Sequence, residues 1–275
     1  MSALVVQERA AAGEPEGLLV LHHGRGTDES DLLALAGVLD PERRLLVVSP
    51  RAPLTLPGSS GYHWYVVSRV GFPDPDTFNA AYRELAVLHE QLWERTGLGP
   101  ERTVLGGFSM GAAMSYALGL GAERPAPAGV LAFSGFIPTV QGWSLDLPAH
   151  RATRVFIAHG RLDSVIDVGF ARDAAERLRA GGLQVDYHES EATHRIDPRE
   201  LPAAGEWLRA TLAAAGAGAA GAAAAGPGRA PADAGPAAAD AGPAAAGSGR
   251  AAADPGRAAA GSGAGDSAPR GVASA

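Results

Sequence analysis

The chain runs to 275 residues, carries a formal net charge of -7, contains no cysteine, and draws all of its cations from arginine. Without cysteine, disulfides, thiol catalysis and thiolate metal ligation are excluded. The mild acidity is spread along the chain with no basic stripe, which argues against a nucleic-acid partner.

The start, MSALVVQERAAAGEPEG, has no basic segment leading into an apolar run. No signal peptide is expected, and no stretch reaches the length of a membrane span, so a soluble cytoplasmic protein is the expectation. Within that start, ALVVQER suits an antiparallel edge strand. Gly17–Gly24, GLLVLHHG, is a short apolar run that reads as a buried strand ending in a loop. Asp28–Leu39 has polar capping residues followed by helical spacing, and Arg44–Pro50 is a second strand. A long irregular stretch rich in glycine and proline follows, from Arg51 to Asp76. The spacing of Phe78, Ala81, Leu85, Leu88 and Leu92 then predicts a helix over Thr77–Arg95.

Beyond it come a strand (TVLGGF), a helix (MGAAMSYALGL) and two more strands (AGVLAFSG and TRVFIAHG). DVGFARDAAERLRAGG is a helix stopped by Gly181 and Gly182. LQVDYHE is the last strand, and PRELPAAGEWLRATL closes the domain as a helix ending at Leu212. Continuous apolar strands alternating with amphipathic helices predict an α/β domain over residues 1–212, a mostly parallel sheet covered on both faces. Residues 213–275 are almost entirely Ala, Gly, Pro and Ser, with no Leu, Ile or aromatic residue. Such a tail has too little apolar surface to offset the entropy of ordering, so it is expected to stay disordered.

In sheets of this kind, sites form at the carboxyl ends of the strands. Gly107-Phe108-Ser109-Met110-Gly111 lies between a strand and a helix, the setting in which G-x-S-x-G is a nucleophile elbow. A serine hydroxyl needs a base to take its proton and an acid to orient that base, and here the chain order is serine, acid, histidine. Of His150, His159, His188 and His194, only His194 follows a strand through a short loop and precedes the last helix. His159 and His188 suit structural roles, the former through packing or a backbone hydrogen bond. Asp163 follows the strand ending near His159 and is the expected acid, while Asp167 suits the start of the next helix. Asp186, Glu189 and Glu191 are the remaining acids in range. An oxyanion hole needs two backbone donors, for which Met110, after the nucleophile, and Arg25, between Gly24 and Gly26, are placed.

Through these residues the chain resembles the phospholipase/carboxylesterase family of the α/β-hydrolase fold, the group that includes acyl-protein thioesterases. The resemblance rests on LHHGRGTDESDL, GGFSMGAAMS, IAHGRLDSVID and THRIDPRELPAAGEWL, together with the proline-rich SPRAPLTLPGSSGYHWY. It implies cofactor-free hydrolysis of a small-molecule carboxylic ester or thioester by Ser109, Asp163 and His194, with Arg25 and Met110 as oxyanion donors. A lysophospholipase would use the same residues, no stable membrane insertion is implied, and a homodimer is compatible with the resemblance. Two positions depart from it: Asp167 stands where many relatives have proline, and Thr193 where they usually have glycine. Tyr62, Trp64 and Trp143, in long loops, are expected to wall the substrate pocket. A non-catalytic binding scaffold is the competing class.

Overall fold

The computed structural model describes residues 4–55, 58 and 60–224. Seven strands form the central sheet: β1 (Val6–Arg9), β2 (Leu18–His22), β3 (Leu46–Pro50), β4 (Thr103–Phe108), β5 (Gly129–Phe133), β6 (Arg154–Gly160) and β7 (Val185–Ser190). Their spatial order is β1-β3-β2-β4-β5-β6-β7. All neighbours run parallel except β1, which pairs antiparallel with β3 at the edge, the place expected for ALVVQER.

Side chains alternate across a strand, so each apolar run feeds two cores. Leu18 and Val20 of β2 face one side with Leu105 of β4, while Leu19 and Leu21 face the other with Val104. In β5 and β6, Val130, Ala132, Val155 and Ile157 pack on one face and Leu131, Phe133, Phe156 and Ala158 on the opposite one. Strands buried on both faces need helices on both faces, and the chain supplies them.

Helix α1 is a single turn (Ala36–Leu39), α2 spans Pro75–Thr96, α3 Met110–Leu120, α4 Gly169–Ala180 and α5 Leu201–Ala224. The start of α2 follows from local chemistry: Asp74 caps it through the Thr77 amide at 3.0 Å, and Pro75 occupies the first turn. Gly97, at φ 68°, ends it. Helix α3 is buried along its whole length, and its Gly, Ala and Ser residues let it lie close to the sheet.

Two expectations are corrected. The helix expected over Asp28–Leu39 is only a 3-10 turn (Leu32–Leu35) followed by α1. Asp28 takes the Ser30 amide and hydroxyl into a local turn, and Asp31 makes no side-chain cap, so the polar residues serve the loop instead of a helix start. At the other end, α5 continues past Leu212 to Ala224, so the boundary expected at 212/213 falls inside a helix. Alanine's helix propensity carries the run once tertiary packing has nucleated it, and Ala215 still packs on the core. The rest of the expected tail, residues 225–275, lies outside the described residues.

The strand order decides where chemistry can gather. The loops following β2, β4, β6 and β7 open at the carboxyl edge of the sheet, and these carry Arg25, Ser109, Asp163 and His194. The irregular segment after β3 folds into two short ribbons, 54–55 with 62–63 and 67–69 with 72–73.

Candidate active site

Ser109 links β4 to α3 at φ 56° and ψ -119°, a left-handed conformation that costs a non-glycine residue on the order of 1–3 kcal/mol. Its amide donates to Phe133 O at 2.9 Å, which fastens the turn to β5. The turn is tight enough to dictate its flanking residues. A Cβ at Gly107 would stand 2.5 Å from the Gly111 carbonyl, and one at Gly111 would overlap the His22 carbonyl. Only glycine fits either place. The result is a buried serine at the amino end of α3, where free N–H groups and the helix dipole favour negative charge.

His194 arrives in the loop between β7 and α5. Its Nε2 lies 2.9 Å from Ser109 Oγ and its Nδ1 2.7 Å from Asp163 Oδ2. That pairing makes Nδ1 the donor to the carboxylate and leaves Nε2 to accept from the serine. Phe108 supports the imidazole, with ring centroids 4.9 Å apart. Asp163 is held in turn: its Oδ1 accepts from the amides of Val165 at 2.9 Å and Ile166 at 2.8 Å. Burial pushes this carboxyl up, but the hydrogen bonds from His194, Ile166 and Val165 outweigh it and hold the group below the usual carboxylate range. His159 adds a further brace. Its Nε2–H donates to Ile166 O at 2.8 Å and lies 3.3 Å from Asp163 Oδ2.

The loop after β2 runs against the elbow, and a Cβ at Gly24 would lie 2.9 Å from the Phe108 ring. It is braced from several sides. Trp64 Nε1 donates to His23 O at 2.9 Å, His23 Nε2 accepts from the Ala52 amide at 3.0 Å, and the Gly26 amide donates to Tyr62 O at 2.8 Å. Arg25 sits exposed at the loop's tip, and Met110 opens α3 with its sulfur accepting from the Trp64 amide at 3.3 Å.

The sequence profile of the phospholipase/carboxylesterase family matches residues 3–212. The chain belongs to that family. Among its relatives, esterase YpfH of Escherichia coli is 29% identical over 200 residues, covering 71% of this chain and 83% of that protein. Acyl-protein thioesterase 1 of Debaryomyces hansenii is 26% identical over 206 residues, covering 68% of this chain and 88% of its own. Among solved structures, esterase PE8 superposes with a TM-score of 0.63 at 30% identity, covering 76% of this chain and all of that one. The chain is therefore a hydrolase of the phospholipase/carboxylesterase group.

The two departures from the family pattern leave this arrangement intact. Thr193 does not take a positive φ, so the turn into His194 requires no glycine here. Asp167 accepts from the Gly169 amide at 2.8 Å and sets up the start of α4, the pre-helical role expected of it. Of the other acids, Glu189 is engaged with Arg172 and Tyr187 and Glu191 with Arg161, while Asp186 lies within β7, paired with Phe156 of β6. His188 stacks on Phe156 and pairs with Glu200, and His150 bonds the Asp146 carbonyl.

The aromatic residues expected to wall a pocket divide by exposure. Trp64 is fully buried, so it braces the His23 loop from behind and presents no surface to a substrate. Trp143 donates to Ala117 O on α3 at 3.1 Å and packs against the core. Tyr62 is half-buried, with the Arg51 guanidinium 4.7 Å from its ring centroid. A groove of about 470 Å³ between α1 and α5, floored by Leu39, Leu45, Leu208 and Leu212, contains none of the expected site residues. Among the described residues, no helix is long and apolar enough to cross a membrane.

Proposed function

We propose that this chain hydrolyses carboxylic esters of short to medium acyl chains through an acyl-enzyme formed on Ser109. The observation that carries this reading is the unbroken chain of hydrogen bonds from Asp163 through His194 to Ser109, at 2.7 and 2.9 Å. Ser109 Oγ attacks the acyl carbon while His194 Nε2 takes its proton, and Asp163 stabilises the imidazolium at Nδ1. The carbonyl electron pair moves onto oxygen, where the amides of Arg25 and Met110 donate to it. His194 then returns the proton to the leaving alcohol as the C–O bond breaks. Water, deprotonated by His194, attacks the acyl-enzyme, and His194 passes that proton to Ser109 Oγ as its bond to the acyl carbon breaks and the acid leaves. The sequence uses only side chains, backbone amides and water. The proposed setting is the cytoplasm, with a small soluble ester as substrate.

A thioester would follow the same course with a thiol as leaving group, and the likeness to an acyl-protein thioesterase favours testing it. The decisive experiment is labelling with a fluorophosphonate, together with a panel of nitrophenyl esters from acetate to decanoate and an acyl thioester. Wild type should label and turn over, and Ser109→Ala should do neither. A wild-type protein that neither labels nor cleaves any member of the panel overturns the reading.

A further inference from the structure

His22 ends β2, one residue before the His23 loop, and its side chain is fully buried. Its Nδ1 lies 2.9 Å from Ser115 Oγ on α3. The Ser115 hydroxyl donates to Gly111 O, one turn back, at 3.0 Å. With its single proton committed there, Oγ accepts, so the proton between the two side chains belongs to His22 Nδ1. The ring is neutral, because burial, helped by the charge of His23, pushes its pKa down to about 3. Trp64 meets it edge-on at 5.7 Å and His89 stands 5.7 Å away on α2, so the imidazole is walled in.

A leucine would fill this place with no polar atoms to satisfy, whereas a buried imidazole leaves Nε2 without a partner among the described residues. The polar link spans a particular junction. The chain leaving His22 is the loop that carries Arg25, and the chain entering Ser115 is the first turn of α3, which begins at Met110. The His22 carbonyl also abuts Gly111 directly. The two amides read as oxyanion donors therefore sit on separate elements, and His22–Ser115 joins those elements through side chains.

We infer that His22 is a positioning residue: through Ser115 it sets the spacing between the Arg25 and Met110 amides, and with it the fit of the oxyanion hole to the transition state. The inference rests on the serine-hydrolase reading above. Deleting an oxyanion donor costs about 10²–10³ in kcat, and a donor displaced but not deleted should cost about 10-fold. KM should stay within about twofold, because ground-state contacts are untouched.

The test compares wild type, His22→Leu, His22→Asn, Ser115→Ala and the double variant His22→Leu/Ser115→Ala on nitrophenyl butyrate, with fluorophosphonate labelling and Tm measured alongside. Asparagine places an N–H where Nδ1 stood, so His22→Asn should recover kcat to within about threefold of wild type while His22→Leu and Ser115→Ala each lose about 10-fold. The double variant should be no slower than the worse single one, since both remove one bond. A folded His22→Leu with kcat within twofold of wild type overturns the inference, as does an Asn variant as slow as Leu at equal Tm. Should His22→Leu fail to fold, Ser115→Ala decides alone, and turnover within twofold of wild type overturns it. A wild type that neither labels nor turns over fails the hydrolase reading itself, which separates that failure from this one.

Discussion

His194 Nε2 lies 2.9 Å from Ser109 Oγ although the two residues are 85 positions apart. The contact exists because β4 and β7 end on the same edge of the sheet, and because Asp163 holds the other side of the ring at 2.7 Å. Asp163 is committed on both oxygens, with Oδ1 accepting two backbone amides. An asparagine there would turn its carbonyl to those amides and its NH2 to His194, forcing the wrong tautomer on the imidazole. If Asp163 has the proposed role, Asp163→Asn should therefore lower kcat by about 10⁴ with KM little changed, as the same change does in a Ser-His-Asp triad. Steady-state kinetics on nitrophenyl butyrate decide it, and a loss of less than about 10-fold would refute the role of this carboxylate.

Stability should fall with acid in a window set by buried histidines. His22, with an ordinary pKa of 6.5, is held at about 3 in the folded protein by burial. His89 is held well below its ordinary value by burial, and His22 and Arg124 push in the same direction. Between the unfolded and folded values the unfolded chain binds protons that the native state refuses, so unfolding free energy rises with pH there. The stabilisation is fully present above about pH 6.5 and is lost as pH falls toward 3. Urea unfolding at pH 7, 6, 5 and 4 should show this slope, and a folded His22→Leu/His89→Leu variant should show a shallower one. Equal slopes in the two proteins would exclude these histidines as its source.

Two glycines should answer alanine substitution in opposite ways. At Gly111 a methyl group would run into the His22 carbonyl and lie 2.6 Å from that of His23, both of them backbone. Gly111→Ala should displace α3 from β2 and abolish turnover, or prevent folding. Gly37 is exposed in α1 with nothing within 4 Å of an added Cβ. Gly37→Ala should stabilise the protein by about 0.4–1 kcal/mol through helix propensity and a less flexible unfolded chain. Thermal unfolding of both variants tests the pair, and a destabilised Gly37→Ala would count against the described environment of α1.

Two truncations probe the end of the domain. Ending the chain at Ala224 keeps every described element, and ester turnover and Tm should match those of the full chain. Ending it at Leu212 removes the last turns of α5, including Ala215 on the second core face. That shorter form should melt lower, by about 2–4 °C for each kcal/mol lost. Identical melting curves for the two truncations would show that residues 213–224 contribute nothing to stability.

The order of strands and helices was legible in the sequence because it follows from periodicity. TVLGGF, AGVLAFSG and TRVFIAHG are short continuous apolar runs, and the structure makes β4, β5 and β6 from them. The weak α1 was not legible, because Asp28 and Ser30 look like capping residues and instead bond each other. The continuation of α5 was not legible for the opposite reason. Its composition has no apolar stripe, and helix persistence there depends on a turn already anchored by Leu208 and Leu212.

Ser109, Asp163 and His194 were nameable as candidates from the sequence because each follows a strand in the order serine, acid, histidine, both one-dimensional properties, and the fold brings the three side chains together. Which side chains support them was not. That His159 would brace Asp163, that Trp64 would be buried behind the His23 loop, and that His22 would reach Ser115 all depend on side-chain directions between elements distant in the chain. A single strand says that its residues alternate between two faces. Only the packed sheet decides what stands opposite each face, and so which buried polar atoms find partners.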